Sequence, residues 1–172
     1  MKRIVFVCTG NTCRSPMAMA IFNSYASLEQ PEFGYEAISA GLAVSKDTLP
    51  STNAVLAMKD SMGIDITKHR AHVLSQAEVE DAFLVLTMTK SHKNYILSMF
   101  PEANQKVYAL KEYAYNMSED TDTDTDNGSV NGIYEFSSDI VDPYGGSLHI
   151  YKLCAQEIVL AVKKIVEKLK KS

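Results

Sequence analysis

The chain has 172 residues, of which 46% are hydrophobic and 22% charged, a composition typical of one soluble globular domain. Its formal net charge of -4 argues against a nucleic acid partner. No apolar run approaches the roughly 18 to 20 residues that span a bilayer, and the short run after the basic start MKR is followed at once by polar residues, unlike a signal peptide. The three cysteines therefore favour a reducing cytoplasm over a disulfide framework.

Short apolar runs alternate with helical patterns along the whole chain. Runs of β-forming residues predict strands at 3–8, 35–41, 82–88 and 106–110. Helical spacing and capping residues predict helices at 16–28, 51–63, 90–100 and from 148 onward. At the first helix Ser15 is expected to be the N-cap and Pro16 the first helical residue. The alternation predicts an α/β domain in which helices cover both faces of a parallel sheet.

The segment at about 115–140 differs from the rest because it is acidic and of low complexity. Its aspartates alternate as in a calcium-binding loop. However, Asn127 stands at the sixth position, where a glycine is needed, and Ile133 at the twelfth, where a glutamate is needed. We therefore expect a mobile, solvated insertion within a single domain that spans residues 1–172.

Cys8 ends the first predicted strand and Arg14 follows it in a C-x5-R spacing. Ligands of parallel α/β sheets bind at the carboxyl ends of the strands, which is where this loop lies. Gly10 lets the loop turn, and its N–H groups together with the helix N-terminus form an anion site suited to phosphate. The same groups favour the thiolate of Cys8, and the Arg14 fork can hold two phosphate oxygens. These features indicate attack on a phosphoryl group through a phosphocysteine intermediate.

The alternative is that Cys8 is a buried core cysteine and Arg14 a surface residue. A lone cysteine would favour that interpretation. Here the strand end, the spacing, the glycine, the Ser-Pro helix start and the absence of acidic or bulky residues coincide, so we favour catalysis.

A proton donor for the leaving group is available in the stretch DPYGGS at 142–147. Asp142 lies on a glycine-rich turn before the final helix, where it could act first as general acid and then as the base that activates water. Tyr144 could form an aromatic wall against a flat substrate group. The alternative is that Asp142 is simply a turn residue favoured before proline.

Taken together, VCTGNTCRSPMA near the N-terminus and DPYGG towards the C-terminus resemble the low-molecular-weight protein tyrosine phosphatase family. The resemblance implies a four-stranded parallel sheet in the order 2-1-3-4, with Cys8 as nucleophile, Arg14 as phosphate ligand and Asp142 as general acid. It also implies that Asn11 and Ser15 shape the loop and stabilise the thiolate. SAG at 39–41 matches the family as well. The further residues expected around the substrate are Thr9, Gly10, Thr12, Cys13 and Tyr144.

His69, in KHRA, resembles a family histidine that hydrogen-bonds this network. A surface histidine at a helix end is an equally good interpretation of the sequence.

Two positions depart from the tyrosine-directed pattern of the family. Thr12 replaces an aliphatic residue, and Gly145 stands where many members carry a second aromatic residue. Both features, together with LTMTKSHK and YALKEY, resemble the bacterial branch that removes phosphate from arginine in proteins. A small hydroxyl beside the nucleophile could contact a guanidinium or position a water, whereas isoleucine would pack on a phenol ring. We therefore expect protein phosphoarginine as the substrate, with phosphotyrosine as the alternative.

The other two cysteines have different interpretations. Cys13 is either a small buried residue or a thiol that traps an oxidised Cys8 as a disulfide, and Cys154 is expected to pack in the final helix. An arsenate reductase of this fold would need a further cysteine pair after the third strand, whereas the sequence has only Cys154 after Cys13, so this function is disfavoured. A phosphocysteine carrier of sugar transport would not need Arg14 or Asp142, so the presence of both favours hydrolysis. A phosphate-binding module without turnover is disfavoured by the intact catalytic set.

No metal or other cofactor is implied, because the histidines show no ligand spacing with cysteines or acids. The expected partner is a phosphorylated protein, with no nucleic acid and no membrane. We expect a monomer in the bacterial cytoplasm.

Overall fold

The computed structural model of the protein describes residues 1–29, 33–45, 48–117 and 137–171. Within these residues the strands are β1 (Lys2–Cys8), β2 (Tyr35–Gly41), β3 (Leu84–Thr87) and β4 (Val107–Ala109). The α-helices are α1 (Arg14–Leu28), α2 (Thr52–Met62), α3 (Gln76–Asp81), α4 (Lys90–Met99), α5 (Leu110–Tyr115) and α6 (Leu148–Leu169). A short 3-10 helix, Pro101–Ala103, precedes β4.

The four strands form one parallel sheet in the order β2-β1-β3-β4, which confirms the predicted topology. The central strand β1 pairs with β2 so that Cys8 lies opposite Gly41, and with β3 so that Val7 lies opposite Thr87. The carboxyl ends of these strands therefore meet at one edge. The loops that follow β1 and β3 begin at this edge.

Helices cover both faces of the sheet because successive side chains of each strand point to opposite sides. Ile4 and Phe6 of β1 belong to the core that includes α1, α2 and α6. Val5 and Val7, the alternate residues, belong to a second core with α3 and α4. Both sides of the central strand are fully buried, which explains its unbroken apolar run.

The predicted helix at 16–28 begins earlier than expected. The structure places its first residue at Arg14, with Cys13 at the N-cap and no side-chain cap, so the prediction of Ser15 as N-cap is wrong. The reason is that the Ser15 hydroxyl is engaged by Cys8 and Asn11 instead. At the second helix, Ser51 caps α2 by accepting a hydrogen bond from Ala54 N.

Three short elements were not predicted: α3, α5 and the 3-10 helix. A capping box starts α3, where Ser75 Oγ accepts from Glu78 N and Glu78 Oε2 accepts from Ser75 N at 2.8 Å. That Ser-x-x-Glu pattern is visible in the sequence and could have located the helix. By contrast, α5 follows β4 without a loop.

Most of the predicted acidic insertion, residues 118–136, lies outside the described residues. The described chain enters it after α5, where Asn116 has a left-handed backbone with φ of 55°. It continues at residue 137, shortly before Asp142.

The helix predicted from 148 onward is α6, and it is amphipathic. Its buried side includes Ile158, Val162 and Ile165, and the helix packs against α1, α2 and α5. Among the residues that the structure describes, neither α6 nor any other helix has an apolar stretch that could cross a bilayer.

Candidate active site

The loop that joins β1 to α1 turns its carbonyl groups to neighbouring segments. Thr9 O accepts from Leu42 N at 2.9 Å, and Thr12 O accepts from Ser51 N at 2.9 Å. Within the described part of the chain, the backbone N–H groups of residues 10–15 donate to no protein acceptor. N–H groups in this arrangement, beside a helix N-terminus, bind anions such as phosphate.

Asn11 holds the shape of this loop from inside. It is fully buried, and its φ of 53° is in the left-handed region that few residues other than glycine adopt. Its Nδ2 donates to Ser15 Oγ at 2.9 Å and to Ser39 Oγ at 3.0 Å. Its Oδ1 accepts from His72 N at 3.1 Å. Its carbonyl accepts from His69 Nε2 at 2.9 Å, since a carbonyl oxygen can only accept. These four bonds offset the backbone strain.

Gly41, at the end of β2, allows the strand to approach the loop closely. A Cβ at this position would lie 2.7 Å from Thr9 O and 3.0 Å from Asn11 Cβ. The contact with the Thr9 carbonyl is too short for a real side chain, and the contact with Asn11 Cβ would be tight. The glycine of the SAG motif is therefore required by the packing of the strand against the loop.

Cys8 lies at the base of the loop with 3% of its surface exposed. Its sulfur is 3.0 Å from Ser15 Oγ. Ser15 Oγ accepts from Asn11 Nδ2, and its single proton can go to Ala40 O at 3.2 Å or to the sulfur. An ionised sulfur can only accept, so Ser15 would then donate to it and stabilise the thiolate.

Arg14 and Asp142 form an ion pair although they lie near opposite ends of the chain. Arg14 Nη2 donates to Asp142 Oδ2 at 2.7 Å, and Nη1 donates to Ile140 O at 3.2 Å. The Arg14 side chain is only 5% exposed, whereas that of Asp142 is 53% exposed. The guanidinium is thus fixed beside the loop, and the carboxylate stands at the mouth of the site.

Tyr144 and Gly145 follow Asp142 on a tight turn. Asp142 Oδ1 accepts from Tyr144 N at 3.1 Å, and Tyr144 is 80% exposed. Gly145 has a φ of 75°, so a second aromatic residue at this position would be strained. The turn therefore presents a single aromatic ring beside the carboxylate.

Of the loop side chains expected near the substrate, only some face outward. Thr9 is exposed, and Gly10 and Thr12 are half-buried. Asn11 and Ser15 are completely buried. The side chains of these last two can therefore act only by supporting the loop and the sulfur, while their N–H groups remain available to an anion.

Cys13 is buried and hydrogen-bonds away from Cys8. Its sulfur donates to Ser51 Oγ at 3.3 Å and lies 3.4 Å from Tyr151 Oη. Burial and the bond to Cys13 raise the pKa of Tyr151 to about 12, so the phenol is neutral. All three cysteines are free, and a role for Cys13 in trapping an oxidised Cys8 stays a prediction.

Cys154 packs as the sequence suggested. Its sulfur is buried in α6 and donates to Val141 O at 3.5 Å. Burial raises the pKa of the Cys154 thiol, which keeps it protonated.

His92, on α4, is a site residue that sequence reasoning missed. Its Nε2 lies 2.9 Å from Thr9 Oγ1, and its Nδ1 is buried with no partner among the described residues. Burial and the nearby Arg14 lower the pKa of His92, whereas Asp139 and Asp142 oppose the shift. An unpaired N–H would be costly at Nδ1, so the proton of the neutral ring belongs on Nε2, donating to Thr9. No sequence pattern pointed to this contact.

No group of three or more potential metal ligands occurs among the residues that the structure describes.

The neutral state of His69 makes stability depend on pH. Burial lowers the pKa of His69 below its ordinary 6.5 in the folded protein. The unfolded chain takes up the proton at the ordinary value, so the free energy of unfolding should fall as pH is lowered through about 6.5 and level off below the folded pKa. Denaturant unfolding at about pH 7.5 and about pH 5.5 measures this.

The matched variant is His69→Gln, whose amide can still donate to Asn11 O but does not titrate. It should lose the part of the pH dependence that belongs to His69. The remaining part includes His92, whose lowered pKa acts in the same direction. An unchanged pH dependence in His69→Gln would contradict this assignment.

Comparison with known proteins identifies relatives over nearly the whole chain. The profile of the family "Low molecular weight phosphotyrosine protein phosphatase" matches residues 3–172. The protein-arginine-phosphatase of Bacillus subtilis is 36% identical over 168 residues, covering 98% of this chain and 97% of that protein. The protein-arginine-phosphatase of Geobacillus stearothermophilus is 35% identical over 168 residues, covering 97% of this chain and 95% of that protein.

A solved structure agrees in fold. It is that of a YwlE arginine phosphatase in which an active-site cysteine is replaced by a phosphorylated serine. It superposes with a TM-score of 0.83 at 35% identity, covering 99% of this chain and 97% of that one. The full-length match of sequence and fold means that the chain belongs to the low molecular weight phosphotyrosine protein phosphatase family.

Proposed function

We propose that this protein hydrolyses phosphoarginine in proteins through a phosphocysteine formed on Cys8. The N–H groups of residues 10–15 and the Arg14 guanidinium bind the phosphoryl oxygens and stabilise the charge that develops on them. The Cys8 thiolate attacks phosphorus. The bond from phosphorus to the guanidine nitrogen breaks, and Asp142 gives its proton to that nitrogen. Water then attacks phosphocysteine, Asp142 takes its proton, and phosphate leaves with the thiolate restored.

The role of Cys8 is supported by its place below the unpaired N–H groups and by the Ser15 hydroxyl at 3.0 Å. A relative supports the same assignment. In the YwlE arginine phosphatase structure a serine that replaces a cysteine carries the phosphoryl group, so an attacking atom at that position reaches phosphorus in that protein.

The observation that carries the choice of substrate is Thr12. It is the half-buried residue of the loop between buried Asn11 and buried Cys13. Its Oγ1 lies 3.6 Å from Cys13 Sγ, a weak contact that leaves the hydroxyl available to a ligand. A guanidinium offers N–H donors to such a hydroxyl, whereas a phenol ring offers none. The two protein-arginine-phosphatase relatives, at 35% and 36% identity, support the same substrate class.

Phosphotyrosine is the second candidate, favoured by Tyr144. Its ring is 80% exposed next to Asp142 and could stack on a phenol ring. The deciding experiment is hydrolysis of phosphoarginine and phosphotyrosine peptides side by side, with kcat/KM for each. A higher kcat/KM for phosphotyrosine would replace the proposed substrate and leave the mechanism standing.

Replacing Thr12 with Ile should shift the preference from phosphoarginine to phosphotyrosine. The hydroxyl would be lost and an apolar surface gained, so we expect the ratio of the two kcat/KM values to change by roughly 10- to 100-fold. Thr12→Val is the matched control, because it removes the hydroxyl at nearly constant volume. Phosphoarginine hydrolysis should fall in both variants, and phosphotyrosine hydrolysis should rise only in Thr12→Ile. An unchanged ratio in both would remove the basis for the substrate assignment.

Replacing Asp142 with Ala should slow the reaction most for poor leaving groups. General acid catalysis contributes typically 10²- to 10⁴-fold, and it matters little when the leaving group departs without a proton. The measurement is kcat for a series of aryl phosphates of graded leaving-group pKa. A loss of the same size for every leaving group would count against Asp142 as the acid.

We also propose a phosphorylated protein as the partner and a monomer in the cytoplasm as the working state. The free thiols of Cys8, Cys13 and Cys154 are consistent with a reducing compartment. Size-exclusion chromatography of the purified chain tests the monomer.

A further inference from the structure

The first turn of α4 lies between the two segments that carry the proposed chemistry. On one side, His92 Nε2 lies 2.9 Å from Thr9 Oγ1, in the loop that follows Cys8. On the other side, Lys90 N donates to Asp139 Oδ1 at 2.7 Å, three positions before Asp142. This turn therefore contacts both the phosphate loop and the segment of the general acid.

The contact of Asp139 is not needed to start the helix. Thr89 is already the N-cap of α4, and its Oγ1 accepts from His92 N at 3.1 Å. Lys90 is the first helical residue, so its N–H is one of the groups that a helix leaves without an internal partner. A carboxylate at this position also interacts favourably with the helix dipole. Since the helix has its own local cap, what the bond chiefly fixes is the position of Asp139.

Residues 139 and 140 form a fixed base for Asp142. Ile140 N donates to Met88 O at 2.8 Å, its side chain is 1% exposed, and its carbonyl accepts from Arg14. Asp142 itself is half exposed and bonds only to Arg14 and Tyr144 N among the described residues. The exposed carboxylate thus lies two residues after Ile140, whose backbone is hydrogen-bonded to Met88 directly after β3.

We infer that Asp139 is a positioning residue for the reaction. Its hydrogen bond to Lys90 N holds the segment so that the Asp142 carboxyl reaches the leaving group. Misplacement of a catalytic group by about 1 Å can lower the rate on the order of 10²-fold. Partial release of the segment 139–142 is therefore expected to lower kcat about tenfold. The inference rests on the proposed function, because it requires Asp142 to be the general acid.

The contact can be broken from either side. Asp139→Ala removes the acceptor, whereas Asp139→Asn keeps an oxygen that can accept from Lys90 N. Lys90→Pro removes the donor at the one helical position where proline is well tolerated, and the extended backbone of Thr89, at φ -142° and ψ 159°, suits a residue before proline. Lys90→Ala is its control, because it removes the side chain and keeps the N–H group.

The readout is kcat and KM for aryl phosphates of graded leaving-group pKa. Asp139→Ala and Lys90→Pro should lower kcat about tenfold for poor leaving groups and little for good ones, with KM changed by less than about twofold. Asp139→Asn should remain close to wild type, and Lys90→Pro should be about tenfold slower than Lys90→Ala for poor leaving groups, because only the N–H group separates these two variants. In an Asp142→Ala background, Asp139→Ala should cause no further loss, because it acts through the missing carboxyl.

Additional loss in the Asp142→Ala background, or equal loss for all leaving groups, would overturn the inference. Wild-type kinetics in Lys90→Pro would also overturn it. If Asp139→Ala lacks native circular dichroism, Lys90→Pro provides the test in its place. If Asp142→Ala lowered kcat by the same factor for every leaving group, the acid role of Asp142 and this inference would be overturned together. A normal Asp142→Ala effect beside unaffected Asp139→Ala and Lys90→Pro variants would overturn the inference alone.

Discussion

Replacing Cys8 with Ser is expected to lower turnover by about 10⁴-fold or more while leaving the fold intact. The thiolate is the nucleophile in the proposed mechanism, and a serine hydroxyl does not ionise at neutral pH without an adjacent base. The polar neighbour of Sγ that the structure describes is the Ser15 hydroxyl, which is not a base. Serine has nearly the same volume as cysteine and can keep that hydrogen bond. The variant should therefore retain its circular dichroism and its affinity for inorganic phosphate.

The matched control for this variant is Cys154→Ser. Cys154 is also buried, and a serine hydroxyl can replace its bond to Val141 O. Its kcat/KM should stay within a few-fold of wild type. Substantial turnover by Cys8→Ser, in a preparation shown by mass spectrometry to contain only serine at position 8, would falsify the phosphocysteine mechanism.

The order of strands and long helices could be predicted from the sequence because each follows from a local pattern. The central strands read as unbroken apolar runs, since both of their faces are covered. The end of α2 at Gly63 could be predicted because helices commonly end at a glycine in the left-handed conformation. Gly63 has such a conformation, with φ of 67°. The sheet order came from the family resemblance and not from periodicity.

Hydrophobic periodicity could not predict the short elements, because six residues or fewer hold too little of a helical period; only α3 carries another signal, its capping box. The sequence of α5 follows β4 directly, and Glu112 Oε2 accepts from Ala109 N at 2.9 Å to start the helix. Lys93 and Glu112 form an ion pair at 2.7 Å between α4 and α5, and both side chains are nearly buried. A contact between helices of this kind leaves no local signature.

The candidate site likewise contains residues that the sequence could predict and residues that it could not. Cys8, Arg14 and Asp142 could be predicted as catalytic residues because their residue types and motifs are typical of phosphoryl transfer. The supporting residues were harder to assign. Ser15 has the sequence features of a helix cap, yet its hydroxyl contacts Asn11 and Cys8; the family resemblance implied this role, whereas the local pattern alone did not.

His92 and Asp139 had no signal in the sequence. Each contacts a residue far away in the sequence: His92 contacts Thr9, and Asp139 contacts Lys90. Their positions are set by where β1, β3 and the C-terminal segment meet. Such contacts follow from topology, so they become visible only once the sheet order and the loops are known.

Replacing Arg14 with Lys is expected to lower kcat by roughly 10²- to 10³-fold, because a preorganised donor to the phosphoryl oxygens is lost. Lysine keeps the positive charge but has no planar fork, so it cannot hold two oxygens at once. It also cannot donate in the same geometry to Ile140 O and Asp142 Oδ2, the two present partners of Arg14. We therefore expect weaker phosphate binding and a segment around Asp142 that is held less firmly.

The control is Arg3→Lys, which makes the same chemical change at the amino end of β1. Arg3 forms a half-exposed ion pair with Glu36 at 3.4 Å, so its replacement should leave kcat unchanged. Titration with inorganic phosphate separates binding from turnover in Arg14→Lys. If the variant kept wild-type kcat and phosphate affinity, then charge alone would suffice at this position. Neither the planar fork nor its two bonds to Ile140 O and Asp142 would then be needed for turnover, and the N–H groups of the loop would have to bind the phosphoryl oxygens without the fork.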